Sequence, residues 1–273
     1  MTGEEPLSLR ETAIRAARIG GEVLIRKYAQ FSRTIDRKGR RDFVTDADRE
    51  SEKQIVAFLR KARPDDAIRA EESDAEADPK RILWAIDPLD GTTNFIHRYP
   101  CFSVSVGVLR NGEVVAGAVF DPTRGELFDA ALGSGARLNG VRIEVSGNRN
   151  LEDCLLVTGF PFREPERLEE FLVGFSSLFR EVSGIRRDGS AALDLSYVAC
   201  GRVDGFWERG LSLWDIAAGT LLVREAGGMV TDLEGGSTHL DTGDILAANP
   251  LVFEPIRSLL AGNSHRCSDR SDL

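Results

Sequence analysis

The densest chemical signal in the chain is Trp84-Ala85-Ile86-Asp87-Pro88-Leu89-Asp90-Gly91-Thr92-Thr93-Asn94-Phe95, with two aspartates, a glycine and a pair of hydroxyls in sequence. Pro88 disfavours helical backbone at Asp87, so the spacing predicts a strand that ends at Asp87. Gly91 permits a tight turn. Thr92 or Thr93 is then expected to cap a new helix whose free N–H groups point back toward the turn. Two carboxylates facing such a helix end can hold a cation and, beyond it, an anion bound to the N–H groups. Asp-Pro-x-Asp alone is common in turns; the combination with glycine and two hydroxyls is far more specific.

Two further acids lie where such a site would need them. Glu71 follows the strand-like Ala67-Ile68, and Asp215 follows Trp214 at the start of a predicted helix. Taken singly, Glu71 reads as a surface acid and Asp215 as a helix N-terminal charge favoured by the dipole. Taken with the central segment, Glu71, Asp87, Asp90 and Asp215 form a set whose charge two divalent cations would neutralise. Without cations, clustered carboxylates repel by about 4 kcal/mol per close pair at an effective dielectric of 20, and their pKa values rise. Oxygen-only ligands favour Mg²⁺ or Mn²⁺ over zinc. The three histidines, His97, His239 and His265, have no ligand-like spacing, which speaks against a histidine-rich zinc site.

The elements that must position these groups follow from periodicity and punctuation. Ser8 and Glu11 read as a capping box, followed by apolar residues at helical spacing to about residue 29. Residues 31–44 are polar and contain Arg37-Lys38-Gly39-Arg40-Arg41, read as a loop or hairpin that is either a solvated face or a basic flap over an anionic substrate. A helix is expected over 45–62, ended by Pro64, and a buried strand over 81–86. Asn111-Gly112 between apolar runs signals a hairpin. A strand near 126–131 leads into a glycine-rich turn. In the second half, helices are expected near 166–182, 189–200, 214–227 and 253–261, with strands near 203–208, 229–232 and 245–248. Both halves mix helices with antiparallel-looking strands, so the class is α+β. Residues 1–262 are expected to form one catalytic domain of two closely packed lobes, about 1–145 and 146–262, with a frayed tail at 263–273.

Composition sets outer limits. The 273 residues are 42% apolar and 29% charged, enough for a large core without a metal or disulfide to hold it. The net charge of −9 argues against a general nucleic-acid or anionic-membrane binder. No apolar stretch approaches a membrane span, and the polar N-terminal residues lack the pattern of a signal peptide. Cys101, Cys154, Cys200 and Cys267 are scattered with no C-x-x-C pair. They read as free thiols of a cytoplasmic protein.

The chain resembles the inositol monophosphatase family of Mg²⁺-dependent, lithium-sensitive phosphatases over about residues 8–262. The matching stretches are Asp42-Phe43-Val44-Thr45-Asp46-Ala47-Asp48, Glu71-Glu72-Ser73, the Asp87 to Phe95 segment, and Trp214-Asp215 followed by Glu225-Ala226-Gly227-Gly228. Gly133 to Gly140 and Gly189 to Glu208 resemble bacterial members. The resemblance implies a layered αβαβα sandwich of the inositol monophosphatase and fructose bisphosphatase type, and a homodimer. It implies that Glu71, Asp87 and the Leu89 carbonyl hold one Mg²⁺, that Asp87, Asp90 and Asp215 hold a second, and that a weaker third lies near Glu71. It makes Asp48 and Thr92 the pair that orients and deprotonates the attacking water, with Glu71 joining them in catalysis. Gly91, Thr92 and Thr93 would hold the phosphate; Gly189, Ser190, Ala191 and Glu208, with Asp90, would face the alcohol.

A cation lowers the pKa of bound water, so neither a histidine nor a cysteine nucleophile is needed. Thr93 follows Asp-Gly-Thr where nucleotide and histidinol-phosphate branches often carry a basic residue, which points to the inositol-type branch. The expected activity is hydrolysis of myo-inositol 1-phosphate or a similar polyol monophosphate. Fructose 1,6-bisphosphate, 3′-phosphoadenosine 5′-phosphate and histidinol phosphate are the alternatives, and a metal-binding scaffold without turnover is the alternative of another class. An aspartyl-phosphate reading of Asp46-Ala47-Asp48 is disfavoured because residues 37–42 are too charged for the strand it requires. Arg186-Arg187 is either a surface pair or a source of one arginine shaping the substrate entrance. Trp207 and Trp214 read as core or pocket wall, and His97 as structural.

Overall fold

A computed structural model describes residues 4–30, 35–39, 42–72, 82–162 and 164–261. The first half contains α1 (Glu4–Ala29), β1 (Ile35–Gly39), β2 (Asp42–Thr45), α2 (Asp46–Ala62), β3 (Ala67–Ala70), β4 (Ile82–Asp90), α3 (Thr92–Ile96), β5 (Ser103–Arg110), β6 (Glu113–Asp121), β7 (Glu126–Ala131), β8 (Ala136–Leu138) and β9 (Val141–Arg142). The second contains β10 (Leu155–Thr158), α4 (Leu168–Phe179), β11 (Gly184–Arg186), α5 (Ala191–Ala199), β12 (Gly205–Glu208), α6 (Leu213–Glu225), β13 (Met229–Thr231), α7 (His239–Thr242), β14 (Ile245–Ala248) and α8 (Pro250–Ala261). No helix among the described residues is long and apolar enough to cross a membrane.

Among the described residues two main sheets alternate with three helical layers, beside the two-stranded β1–β2 sheet. The larger has the order β3-β4-β5-β6-β7-β8-β9, the smaller β11-β10-β12-β14-β13. Helices α1 and α2 cover one face of the larger sheet; α5 and α6 lie between the two sheets; α4 and α8 pack together outside the smaller one. The architecture is therefore α+β, in five layers. The middle layer sits close because Gly107 and Gly117 face each other across β5 and β6. A Cβ at Gly107 would lie 2.6 Å from the Ala217 Cβ, and one at Gly117 3.0 Å from the Ala218 Cα. Paired glycines below and alanines above let α6 lie against the sheet, and α6 carries Asp215.

Several expectations change in detail. Helix α1 begins at Glu4, ahead of Ser8; Glu4, Glu5 and Pro6 suit a first turn electrostatically and sterically. The Ser8 carbonyl accepts from Thr12 Oγ1 at 3.1 Å, as an interior residue can. Strand β4 does not end at Asp87 but runs to Asp90, because Pro88 and Leu89 are absorbed in a bulge: Asp87 pairs with Ser105 and Asp90 with Ser103. A bulge tolerates the missing proline N–H. Pairing is not uniformly antiparallel, since β3–β4, β10–β11 and β10–β12 are parallel. The glycine-rich turn after β7 carries β8 and β9, and Glu225 steadies it by accepting from the Gly133 and Gly135 N–H groups at 2.7 and 2.6 Å. Residues 35–39 and 42–45 pair as an antiparallel hairpin. Arg40 and Arg41 lie outside the described residues, as do Ser73, His265, Cys267 and the expected frayed tail at 263–273. Cys101 and Cys154 are buried free thiols, and Cys200 is a half-buried one.

Candidate active site

Helix α2 starts on Thr45, whose side chain accepts from the N–H groups of Ala47 (3.1 Å) and Asp48 (3.4 Å). The Asp48 carboxylate returns the bond, accepting from the Thr45 N–H at 2.8 Å and the Thr45 hydroxyl at 2.5 Å, so Asp48 is locked by its own helix cap. Its second oxygen lies 3.1 Å from Thr92 Oγ1. Asp48 is fully buried. Burial pushes its pKa up to about 6; the Thr45 bonds oppose that shift and Glu72 adds to it.

Beyond the β4 bulge, Gly91 turns the chain with φ at +93°. Only glycine fits: the backbone is left-handed, and a Cβ would meet the Cys101 carbonyl oxygen at 2.9 Å. Gly91, rather than either threonine, is the N-cap of α3, and no side chain caps that helix. The Thr92 hydroxyl is diverted to Asp48 and to the Leu89 carbonyl, 3.1 Å from each, and its single proton serves one at a time. The first backbone N–H bonded back into the turn is that of Phe95, to the Gly91 oxygen at 3.0 Å. Asn94 donates to the nearby Cys101 carbonyl and, across to the second half, to the Asp188 carbonyl, at 2.8 Å each.

Asp87 is buried and accepts from the Leu89 N–H at 2.9 Å. Burial, then Glu71, Asp90 and Asp215, push its pKa well up. Asp90 accepts from Ser190 Oγ at 2.6 Å and from the Ala192 N–H at 2.8 Å, both at the start of α5. Burial and Asp215 raise it to about 7 against those bonds. Asp215 occupies the third position of α6 and accepts from the Ser212 N–H at 2.7 Å, a second capping box. Among the described residues, no lysine or arginine forms an ion pair with Asp87 or Asp90.

These groups open into one cleft of about 180 Å³. Glu71, Asp87, Leu89, Asp90, Gly91, Thr92, Thr93, Gly189, Ser190, Ala191, Glu208 and Asp215 all line it. Asp48 stands just behind, reached through Thr92. Three carboxylates, on Asp48, Glu71 and Glu72, have oxygens within 4.8 Å of one another. Glu72 belongs to that trio although the sequence reading did not single it out as a ligand. The donor set is all oxygen, buried at the aspartates and half-buried at Glu71 and Glu72, and mutually repelling, which is the chemistry that hard divalent cations relieve.

The structure adds cleft residues that the sequence left unmarked: Gly159, Phe160, Pro161, Phe162, Glu164 and Arg209 to Leu211. Their signal was faint, two phenylalanines around a proline in a loop without periodicity. A Cβ at Gly159 would fall 1.8 Å from Glu208 Oε1, so glycine is what lets that carboxylate face the cleft. Of the arginine pair, Arg187 lines the cleft and Arg186 does not. Trp207 is core, and Trp214 is half-buried with its carbonyl accepting from Ser105 at 3.0 Å. His97 ends α3 with its N–H on the Thr93 carbonyl at 3.1 Å, a structural task.

The family model described as "Inositol monophosphatase family" matches residues 5–265. The chain is 48% identical over 250 residues to the protein named "Nus factor SuhB" of Pseudomonas aeruginosa, covering 89% of this chain and 92% of that one. It is 44% identical over 247 residues to the "Inositol-1-monophosphatase" of Mesorhizobium japonicum, covering 90% and 93%. Among solved structures, the extragenic suppressor protein suhB of Bartonella henselae superposes with a TM-score of 0.89 at 43% identity, covering 93% of this chain and 98% of that one.

Proposed function

The chain belongs to the inositol monophosphatase family, and from that premise we propose that it is a Mg²⁺-dependent phosphomonoesterase acting on myo-inositol 1-phosphate or a similar polyol phosphate. The observation that carries this reading is the meeting, in one cleft, of the Thr92–Asp48 pair with Glu71, Asp87, Asp90 and Asp215. Glu71, Asp87 and the Leu89 carbonyl would hold one ion, and Asp87, Asp90 and Asp215 a second. The trio Asp48, Glu71 and Glu72 offers a third position. Bound Mg²⁺ supplies Lewis acidity, lowering the pKa of water and offsetting charge on phosphoryl oxygens.

The chain's own groups do the rest. Thr92 orients the attacking water, and Asp48, whose pKa burial raises to about 6 in the metal-free protein, holds the proton relayed through the threonine hydroxyl. The free N–H groups of Gly91, Thr92 and Thr93 receive the phosphate oxygens. Ser190, Ala191 and Glu208 face the alcohol, with Glu208 accepting from its hydroxyls. Asp90 bridges the two tasks, because Ser190 and the Ala192 N–H hold it from the alcohol side. Residues 1–262 act as one catalytic domain of two lobes, in the cytoplasm. A homodimer fits the outer face of α4, where Leu168, Leu172 and Phe179 stand exposed at helical spacing.

The test is phosphate release with and without Mg²⁺ from myo-inositol 1-phosphate, fructose 1,6-bisphosphate, 3′-phosphoadenosine 5′-phosphate and histidinol phosphate, with Asp90→Asn as control. Mg²⁺-dependent release, lost in the variant, is expected, with inositol phosphate preferred; millimolar-order lithium is expected to inhibit. No release from any compound would overturn the reading. The names of several relatives favour a second role, as a Nus factor. The acidic net charge of −9 makes a protein partner the better fit for that role than nucleic acid. Such a role would survive Asp90→Asn, whereas turnover would not.

A further inference from the structure

Away from the acidic cleft, a second pocket of about 430 Å³ lies where α1 crosses the far end of the larger sheet. Arg10, Ile14 and Arg18 come from α1, Leu127 and Asp129 from β7, and Arg137 from β8. Positions 10, 14 and 18 recur at helical spacing and share one stripe of α1. Leu127 and Asp129 are alternate residues of one strand and share a face, and Arg137 pairs directly with Asp129 across the ladder. The lip is the Asn139-Gly140 turn. Asn139 holds it in place, accepting from the Leu127 N–H at 2.9 Å and donating to the Gly125 carbonyl at 3.2 Å. The volume suits a small molecule, since such sites run from roughly 300 to 1,000 Å³.

Three guanidiniums and two carboxylates line this pocket, in a protein whose net charge is −9. The Arg10 side chain is only 9% exposed, with Nη2 at 2.7 Å from Glu11 and Nε at 3.5 Å from Asp129. Its Nε and Nη1 are nevertheless buried without a hydrogen-bond partner. A buried donor without an acceptor is costly, and a bound oxyanion removes that cost after a small turn of the guanidinium. Glu11 is no obstacle, because its side chain is 62% exposed and turns easily into water. Arg18 stacks on Phe120, with the guanidinium carbon 5.6 Å from the ring centre. Stacking fixes the plane of a guanidinium and leaves its in-plane donors available. Among the described residues, neither Arg18 nor Arg137 makes an ion pair or a side-chain hydrogen bond. Burial pushes the Asp129 carboxyl up from its ordinary pKa, with Arg10 and Arg137 pulling the other way. One buried carboxylate is thus a weak counter-charge for three cations.

We propose that this pocket is a second binding site, which takes a phosphate group through Arg10, Arg18 and Arg137, either as the free ion or as a small monoester. A carboxylate is filled by one planar fork, whereas a tetrahedral dianion has oxygens enough for several. Ile14 and Leu127 give the carbon part of an ester an apolar surface to lie on. The pocket shares no residue with the acidic cleft, so the site stands whether or not the phosphatase reading does.

Titration calorimetry of the full chain in chelator tests it, with inorganic phosphate and glycerol 3-phosphate as probes and glycerol as the neutral control. Without divalent ions the carboxylates of the cleft repel anions, so binding there does not mask the second site. One saturable site per chain is expected for at least one probe, with affinity that falls as ionic strength rises; glycerol is expected not to bind. Tighter binding of the ester identifies a phosphorylated small molecule as the ligand, and tighter binding of the ion identifies free phosphate. Arg18 is exposed and Arg137 half-buried, so their replacement is expected to leave the ligand-free Tm close to that of the wild type. Arg137→Gln and Arg18→Gln are each expected to weaken binding about 10- to 100-fold. Asn139→Asp keeps the acceptor for the Leu127 N–H and adds negative charge at the lip, so it is expected to weaken binding in the same direction. No saturable binding of either probe to the wild type would overturn the proposal. So would binding that persists undiminished in Arg18→Gln, Arg137→Gln and Asn139→Asp, because the phosphate would then sit elsewhere.

Discussion

The two walls of the cleft are built differently. The inner wall comes from regular elements: the end of β4, the first turns of α2 and α6, and the short α3. Its aspartates, Asp48, Asp87, Asp90 and Asp215, are buried, and each is fixed by backbone or hydroxyl donors. The outer wall comes from loops around residues 159–164 and 187–190. Phe160 and Phe162 there are 38% and 44% exposed, and Arg187 is exposed as well. Rigid, desolvated carboxylates suit chemistry that must be the same for every substrate. Loop side chains at a mouth suit discrimination, since they can change without disturbing the core. The comparison predicts that turnover and selectivity are separable in this cleft.

Breaking the inner wall is expected to have the largest effects. Asp90→Asn removes a proposed metal ligand and the acceptor of Ser190 and Ala192. It should lower kcat/KM by about 10³-fold or more and weaken Mg²⁺ binding in calorimetry; near-normal turnover would refute its assignment. The same wall makes the metal-free protein pH-sensitive. Asp48 has its pKa raised to about 6 and Asp90 to about 7 in the folded state. Raised folded values mean that the contribution to stability is complete below about pH 4 and is lost as pH rises through 6 and 7. Asp48 alone corresponds to on the order of 3 kcal/mol. Thermal melts in chelator should therefore show higher Tm at pH 5 than at pH 8, and Mg²⁺ should recover the upper range. A flat profile in chelator would contradict the buried, repelling site. Thr92→Val keeps shape but removes the hydroxyl proposed to link water to Asp48, so kcat should fall about 10²-fold with little change in KM. An unchanged kcat would free Asp48 from the proposed relay.

The join between the walls comes next. Asn94→Ala deletes two bonds, one to Cys101 beside α3 and one to Asp188 that ties α3 to the outer loop. A loss of about 1–3 kcal/mol in denaturant unfolding is expected. The smallest effect belongs to the outer wall itself. Gly159→Ala places a methyl group on the Glu208 carboxylate, 1.8 Å from Oε1, so the acid must turn away. KM for a polyol phosphate should rise about 10-fold with kcat nearly preserved. A fall in kcat without a change in KM would place Glu208 with the chemistry instead.

Much of the inner wall was legible because its information is local. Pro88, Gly91 and the flanking apolar run specify a strand, a turn and a helix start within nine residues of Asp87. The Asn111-Gly112 hairpin and helices α2, α5 and α6 were legible for the same reason. Boundaries were less so. The β4 bulge depends on pairing with β5, and the cap of α3 passed to Gly91 because Asp48 drew the Thr92 hydroxyl away. The parallel pairs β3–β4 and β10–β12 carry no local mark that distinguishes them from antiparallel ones.

The sequence by itself therefore determined which groups exist and how neighbours are spaced: four acids, an aspartate–glycine–threonine turn, apolar periods of helix and strand. Tertiary structure decided which distant groups meet. Thr92 finds Asp48 across 44 residues, and Ser190 finds Asp90 across 100. Arg187 settles on Phe160 and Phe162 because β10 and β11 are neighbours in one sheet, so that the loops following them run side by side. Short-range spacing is set by bond geometry and is readable along the chain. Long-range convergence is set by sheet order and layer packing, which depend on the whole core at once.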